Sequence, residues 1–184
     1  MGVIIKESGM RFGEYNENDV FPIETSKQYT KNLLPNGVKV CEFILKRGKK
    51  LYFIEAKSSC PRQILGNIPD DQRKEKQKTY DKYIDEIVLK MRHSLSLYGT
   101  ILMKRHSQDN VPEDFLNTDL SETLIYLVLV INPQGGEWEP EPELQDDLRR
   151  HLKYEMKLWN IQSLVVITAN QAKEKHFIID DDVL

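Results

Sequence analysis

Residues 38–57 read VKVCEFILKRGKKLYFIEAK, and this stretch decides the fold. The runs VKVCEFILK (38–46) and KLYFIEAK (50–57) are rich in β-branched and aromatic residues and flank Arg47, Gly48 and Lys49, a glycine-containing turn of hairpin length. The stretch therefore reads as a β-hairpin. Its register depends on the loop. A two-residue loop at Gly48-Lys49, or a four-residue loop over 47–50, sets position 42 directly across from position 55. A loop at Arg47-Gly48 sets them diagonally on one face, and a three-residue loop needs a bulge to keep them together.

Downstream of the hairpin, Tyr80, Ile84, Ile87, Val88, Met91, Leu95, Tyr98 and Leu102 recur at helical spacing, which predicts a long amphipathic helix over 72–104. Asp70 and Asp71 suit its N-terminal dipole end. A polar connection over 109–120 contains Pro112. Next, 123–131 forms a continuous apolar run stopped by Asn132-Pro133-Gln134-Gly135-Gly136, the pattern of a strand buried on both faces. Helical spacing returns over 141–159 through Leu144, Leu148, Leu152, Met156 and Trp159, and 163–168 (SLVVIT) is a second buried strand. Residues 1–37 mix short apolar stretches with turn residues, and predict a strand or two with a short helix over 23–31. The fold class is α/β: a mixed β-sheet flanked by helices, with core order β-β-α-β-α-β over about 38–168. The expected domain is single and spans 1–184, with 1–37 an N-terminal extension and 169–184 a C-terminal tail.

Composition supports a folded chain. At 184 residues, 40% hydrophobic and 30% charged, it is large enough for one core and too apolar for a disordered segment. The longest apolar run, 124–131, is far short of the roughly 20 residues a membrane span requires. Two cysteines without a CxxC pair exclude a disulfide-built scaffold. With no leader-like apolar stretch at the N-terminus, a reducing, cytoplasmic compartment is expected.

The chemistry-bearing residues sit in the hairpin. Glu55 and Lys57, two apart on a strand, project from one face. Glu42 across from Glu55 brings a second carboxylate within cross-strand reach. An E-x-K tripeptide is commonly a solvated ion pair, but Glu55 follows the apolar run Leu51–Ile54 and precedes Ala56, the setting of a buried strand. Two acids that close raise each other's pKa unless a cation lies between them. Mg²⁺ or Mn²⁺ meets that need with carboxylate oxygens, and Lys57 beside them can neutralise a phosphate oxygen or assist an attacking water.

These residues resemble the PD-(D/E)XK nuclease superfamily, the restriction-endonuclease-like fold: Glu42 on one strand, then Glu55-Ala56-Lys57 within FIEAKSS on the next. The resemblance implies a Mg²⁺-dependent nuclease. In it Glu42 and Glu55 hold the metal, the Ala56 carbonyl adds a ligand and Lys57 assists the water, so that Glu42, Glu55 and Lys57 form the catalytic set. The first acid is Glu rather than Asp and follows Cys41 rather than Pro. The resemblance further nominates Glu24, from the helix before the hairpin, and Gln77, in the first turns of the long helix. It implies nucleic acid as partner, DNA ahead of RNA, with a homodimer or partner proteins as further expectations. The alternative is a nuclease-like fold that no longer cuts and serves as a binding or assembly subunit.

Other features rank lower. His93, His106, His151 and His176 lack metal-ligand spacing, Cys41 is expected in the core on the face opposite Glu42, and no phosphate-cradling glycine loop occurs. Trp138, in the loop 132–143, is a candidate anchor for a partner or base, and Asp180–Asp182 reads as a solvated tail. The net charge of -3 excludes a general polyanion-coating protein, yet it averages over opposite regions. Residues 38–82 hold 12 Lys and Arg against 6 Asp and Glu, so the basic excess coincides with the hairpin and helix start.

Overall fold

A computed structural model of the chain describes residues 2–61, 69–132 and 142–179. The strands and helices are β1 (Gly2–Glu7), β2 (Met10–Asn16), β3 (Val20–Phe21), α1 (Lys27–Asn32), β4 (Phe43–Arg47), β5 (Lys50–Lys57), α2 (Asp70–Leu102), α3 (Glu113–Leu116), β6 (Leu124–Ile131), α4 (Pro142–His151), α5 (Lys153–Leu158), β7 (Ile161–Thr168) and α6 (Ala169–Glu174).

The hairpin closes in one of the ways its sequence allows. Arg47 pairs with Lys50, leaving Gly48-Lys49 as a two-residue turn, and Gly48 takes the left-handed backbone (φ 57°) that such turns require. The register runs to Phe43 opposite Ile54. Glu42 lies one residue outside β4, and its N–H donates to the Ile54 carbonyl at 3.1 Å.

β3 and β4 extend this pair on one side, and β6 and β7 extend it on the other, in the order β3-β4-β5-β6-β7. β5, β6 and β7 run parallel, joined by crossovers that carry α2 and then α4 and α5, while β3 and β4 run antiparallel. The α/β class and the mixed sheet agree with the sequence. β6 is buried along nearly its whole length, which is why it reads as an unbroken apolar run.

Strand alternation sorts the core into two layers. Leu51 and Phe53 of β5, with Leu127 and Leu129 of β6, face Ile84, Ile87, Met91, Leu95 and Tyr98 of α2. Ile54, Ala56, Val128 and Val130 face the other side, where Met10 and Phe12 of β2 meet Phe177 and Ile178. The two chain ends clasp there: Gly13 N–H and Tyr15 Oη both donate to the Phe177 carbonyl, and Arg47 lies over the Phe177 ring, 4.8 Å from its centre.

The sequence and the structure differ most in the following places. Residues 1–37 hold a separate two-stranded sheet, β1-β2, plus the short edge strand β3, and the helix expected over 23–31 is a 3₁₀ turn at Ile23–Thr25 followed by α1. The helix expected over 141–159 breaks at Leu152, which leaves helical dihedrals (φ -99°, ψ 10°) while fully buried. Beyond 168 the chain forms α6, closed by a capping box between Thr168 and Gln171. The loop with Trp138 and the acids 180–182 lie outside the described residues.

Candidate functional site

Glu55 and Lys57 leave β5 on the α2 side, continuing the alternation of Leu51 and Phe53 past the point where apolar partners end. Glu55 is fully buried and Glu42 nearly so. The sequence expects a divalent ion between them; the structure places a lysine there. Lys90 of α2 sets its Nζ 2.8 Å from Glu55 Oε1 and 3.0 Å from Glu42 Oε1. At that distance Glu55 and Lys90 form a buried ion pair.

α2 holds the hairpin entrance in place one turn further on. Ser94 Oγ donates to the Lys90 carbonyl and accepts from Cys41 N–H, both at 2.7 Å. Cys41 therefore packs in the α2-side layer and not opposite Glu42: it precedes β4, so strand alternation does not reach it. Burial pushes its thiol far up, which makes it a core residue rather than a nucleophile.

Charges alternate along the site. Lys57 Nζ lies 2.7 Å from Glu86 Oε1 and 3.2 Å from Glu55 Oε1, and Lys39 reaches the other Glu86 oxygen at 3.4 Å. Glu24, from the 3₁₀ turn, and Glu7, the last residue of β1, gather at Glu42 as well, close enough to Lys90 for its charge to act on both. One oxygen from each of Glu7, Glu24 and Glu42 lies within 4.8 Å of the others. Backbone pairing supports this, with Glu24 N–H reaching the Glu42 carbonyl at 3.4 Å.

The titration pattern follows the packing. Burial, then a hydrogen bond with Glu42 and its charge, pushes Glu24 up to about 8. Burial pushes Glu55 up to about 7 against the pull of Lys90, with Glu42 adding and Lys57 subtracting. Glu7 is raised by burial and then by Glu42. For Lys90 burial works downward, but Glu55 and Glu42 together overcome it and hold the ammonium above its ordinary value. Lys57 behaves alike, raised by Glu55 and Glu86 against its own burial. Glu86 is lowered, first by the hydrogen bond from Lys57.

Of the residues nominated from sequence, Glu42, Glu55, Lys57 and Glu24 converge. The Ala56 carbonyl borders the same region and accepts Ser8 Oγ at 3.0 Å. Gln77 does not join them. It precedes Glu86 by nine residues, about two and a half helical turns, and so points to the opposite side of α2. There it donates to Asp81 and lines a 390 Å³ crevice against Asp147, Arg150 and His151 of α4.

Lys90, Glu86, Lys39 and Glu7 are the site residues sequence reasoning missed. Lys90 carried a signal, a lysine set between Ile87 and Met91 on an otherwise apolar helix stripe. Glu7 carried none, because nothing in a short strand announces what its last side chain will meet. No family model, curated protein or solved structure matches the chain.

Proposed function

We propose that this chain is a metal-dependent nuclease that hydrolyses phosphodiester bonds, with Glu42, Glu24 and Glu7 as ligands for Mg²⁺ or Mn²⁺ and Lys57 as the phosphate-facing cation. The observation that carries the reading is the convergence of these three carboxylates near Glu55, which is buried, and Lys57, which is partly exposed. Their oxygens suit a hard divalent ion, and among the described residues the site sets five carboxylates against the ammonium groups of Lys39, Lys57 and Lys90. A bound divalent ion supplies Lewis acidity toward a phosphate oxygen and lowers the pKa of a bound water.

The chain's own groups do the remainder. Glu55 and Glu86 fix the Lys57 ammonium from two sides, and its raised pKa suits it to donate to phosphate while charged rather than to act as a base. Glu55 is thus a positioning residue for Lys57 as well as a charge partner of Lys90. The resemblance of Glu42 and Glu55-Ala56-Lys57 to the PD-(D/E)XK pattern supports the same chemistry and favours DNA as the substrate.

The test is a panel of DNA and RNA substrates incubated with Mg²⁺ or Mn²⁺. Wild type is expected to cleave at least one of them only with metal, and Lys57→Ala and Glu42→Gln to be slower by about 10²–10³, the usual cost of one lost electrostatic contact at a reacting centre. Equal cleavage by the variants, or none by wild type across the panel, sinks the proposal. Lys90 favours a second reading, a nuclease-like fold acting as a binding or assembly subunit, because a fixed ammonium stands where the motif wants metal. Under that reading titration with Mn²⁺ gives no binding that depends on Glu42 or Glu24.

A further inference from the structure

We infer that Lys90 is the resident cation of the Glu42-Glu55 pair: its ammonium fills the place the motif offers a divalent ion and closes it to metal, leaving metal the cluster that Glu42 forms with Glu24 and Glu7. The second clause rests on the nuclease reading above; the first stands on geometry alone. With Nζ 3.0 Å and 2.8 Å from the two carboxylates, the ammonium sits where an ion bridging them would sit. A Mg²⁺ ion bonds oxygen at about 2.0–2.1 Å, so the two cations cannot share this gap without severe repulsion.

Lys90 also has little reason to leave. It is only 8% exposed and its stem rises from the middle of α2 between the buried Ile87, Met91 and Ser94. Withdrawing it strands Glu55, which is 0% exposed, with Lys57 as its one remaining cation among the described residues, and an uncompensated buried charge is strongly destabilising. A metal arriving from water has to remove a tethered charge that never dissociates from the protein. The position that sequence assigns to an exchangeable ion is held by the fold itself.

The experiment counts bound Mn²⁺ by calorimetry and by the electron paramagnetic resonance of the free ion. Glu55→Gln is expected to bind Mn²⁺ within twofold of wild type, whereas Glu24→Gln binds at least tenfold more weakly. Lys90→Met is expected to gain one additional Mn²⁺, lost again in Lys90→Met/Glu55→Gln. A tenfold weakening by Glu55→Gln in the wild-type background overturns the inference, because metal then displaces Lys90. So does a Lys90→Met protein, folded by circular dichroism, that gains no ion dependent on Glu55. If Lys90→Met does not fold, the Glu55→Gln arm decides, since a neutral amide still fits against Lys90. Wild type binding no Mn²⁺ overturns the nuclease reading and the second clause here, while an ion gained by Lys90→Met still reads the first.

Discussion

A carboxylate hydrogen-bonded to another carboxylate holds a proton, and Glu24 against Glu42 is such a case, with Glu24 pushed up to about 8 by burial and its neighbour. The unfolded chain releases that proton near the ordinary carboxylate value of 4.5. Between these values the folded state binds more protons than the unfolded state, so stability falls as pH rises. Glu55, raised to about 7, acts with the same sign over a narrower range. Glu86 is lowered, so its contribution is lost only as pH falls below the ordinary carboxylate value of 4.5, and the raised lysines lose theirs only at alkaline pH. The melting temperature of metal-free protein is therefore expected to decline from pH 5 to pH 8. Glu24→Gln should flatten the decline without abolishing it, because Glu55 remains. Thermal melts at four pH values check this, and an unchanged slope in the variant removes Glu24 from the account. Sequence nominated Glu24, but its proton depends on what Glu42 and Glu7 do nearby, which spacing along the chain does not encode.

Elements were legible where a local pattern had a single solution. α2 and β6 were read to within two residues at each end because a long apolar stripe and an unbroken apolar run each exclude the alternatives. The hairpin was legible except for its loop, which Gly48 settled through its backbone conformation. β1-β2 and the break at Leu152 were not, since a two-stranded sheet and a helix end buried by tertiary packing leave little local trace. Gly99 shows how an element carries information about its neighbour. Within a helix Gly costs about 1 kcal/mol relative to Ala, so Gly99→Ala would stabilise α2 in isolation. Here a Cβ at position 99 would lie 2.5 Å from Trp159 Cη2, at the end of α5, and an indole held against the core has little freedom to give way. Overpacking costs about 1–3 kcal/mol and, against a contact this short, exceeds the propensity gain, so Gly99→Ala is expected to destabilise by up to about 2 kcal/mol in urea unfolding. In a Trp159→Leu background the same change should turn neutral or stabilising. A stabilising Gly99→Ala in the wild-type background would show that α2 and α5 do not press together here.

At the scale of the whole molecule, the candidate site is a product of topology. Its groups come from β1, the 3₁₀ turn, the hairpin and α2, and the stretch from Glu7 to Lys90 spans nearly half the chain. Only the hairpin pair was adjacent enough for cross-strand spacing to reveal it; Glu7 arrives on a sheet of its own, secured where Ser8 meets the Ala56 carbonyl and where β2 meets Phe177. Ligands so far apart along the chain are not gathered in the unfolded state, so any ion bound by Glu7, Glu24 and Glu42 binds the native state alone. Its binding free energy then becomes folding free energy. Mn²⁺ at a hundred times its dissociation constant is expected to raise the unfolding free energy by about 2.7 kcal/mol, and each further decade to add about 1.4 kcal/mol. Urea titrations at several Mn²⁺ concentrations read this as a midpoint that climbs with the logarithm of metal while the slope m stays fixed, because the surface exposed on unfolding is unchanged. Glu42→Gln should lose the climb, and Glu7→Gln should displace it to higher Mn²⁺ by the factor Glu7 contributes to affinity. A midpoint indifferent to Mn²⁺ in wild type, or one that climbs equally in Glu42→Gln, would mean that the three carboxylates gathered by this fold do not hold the ion.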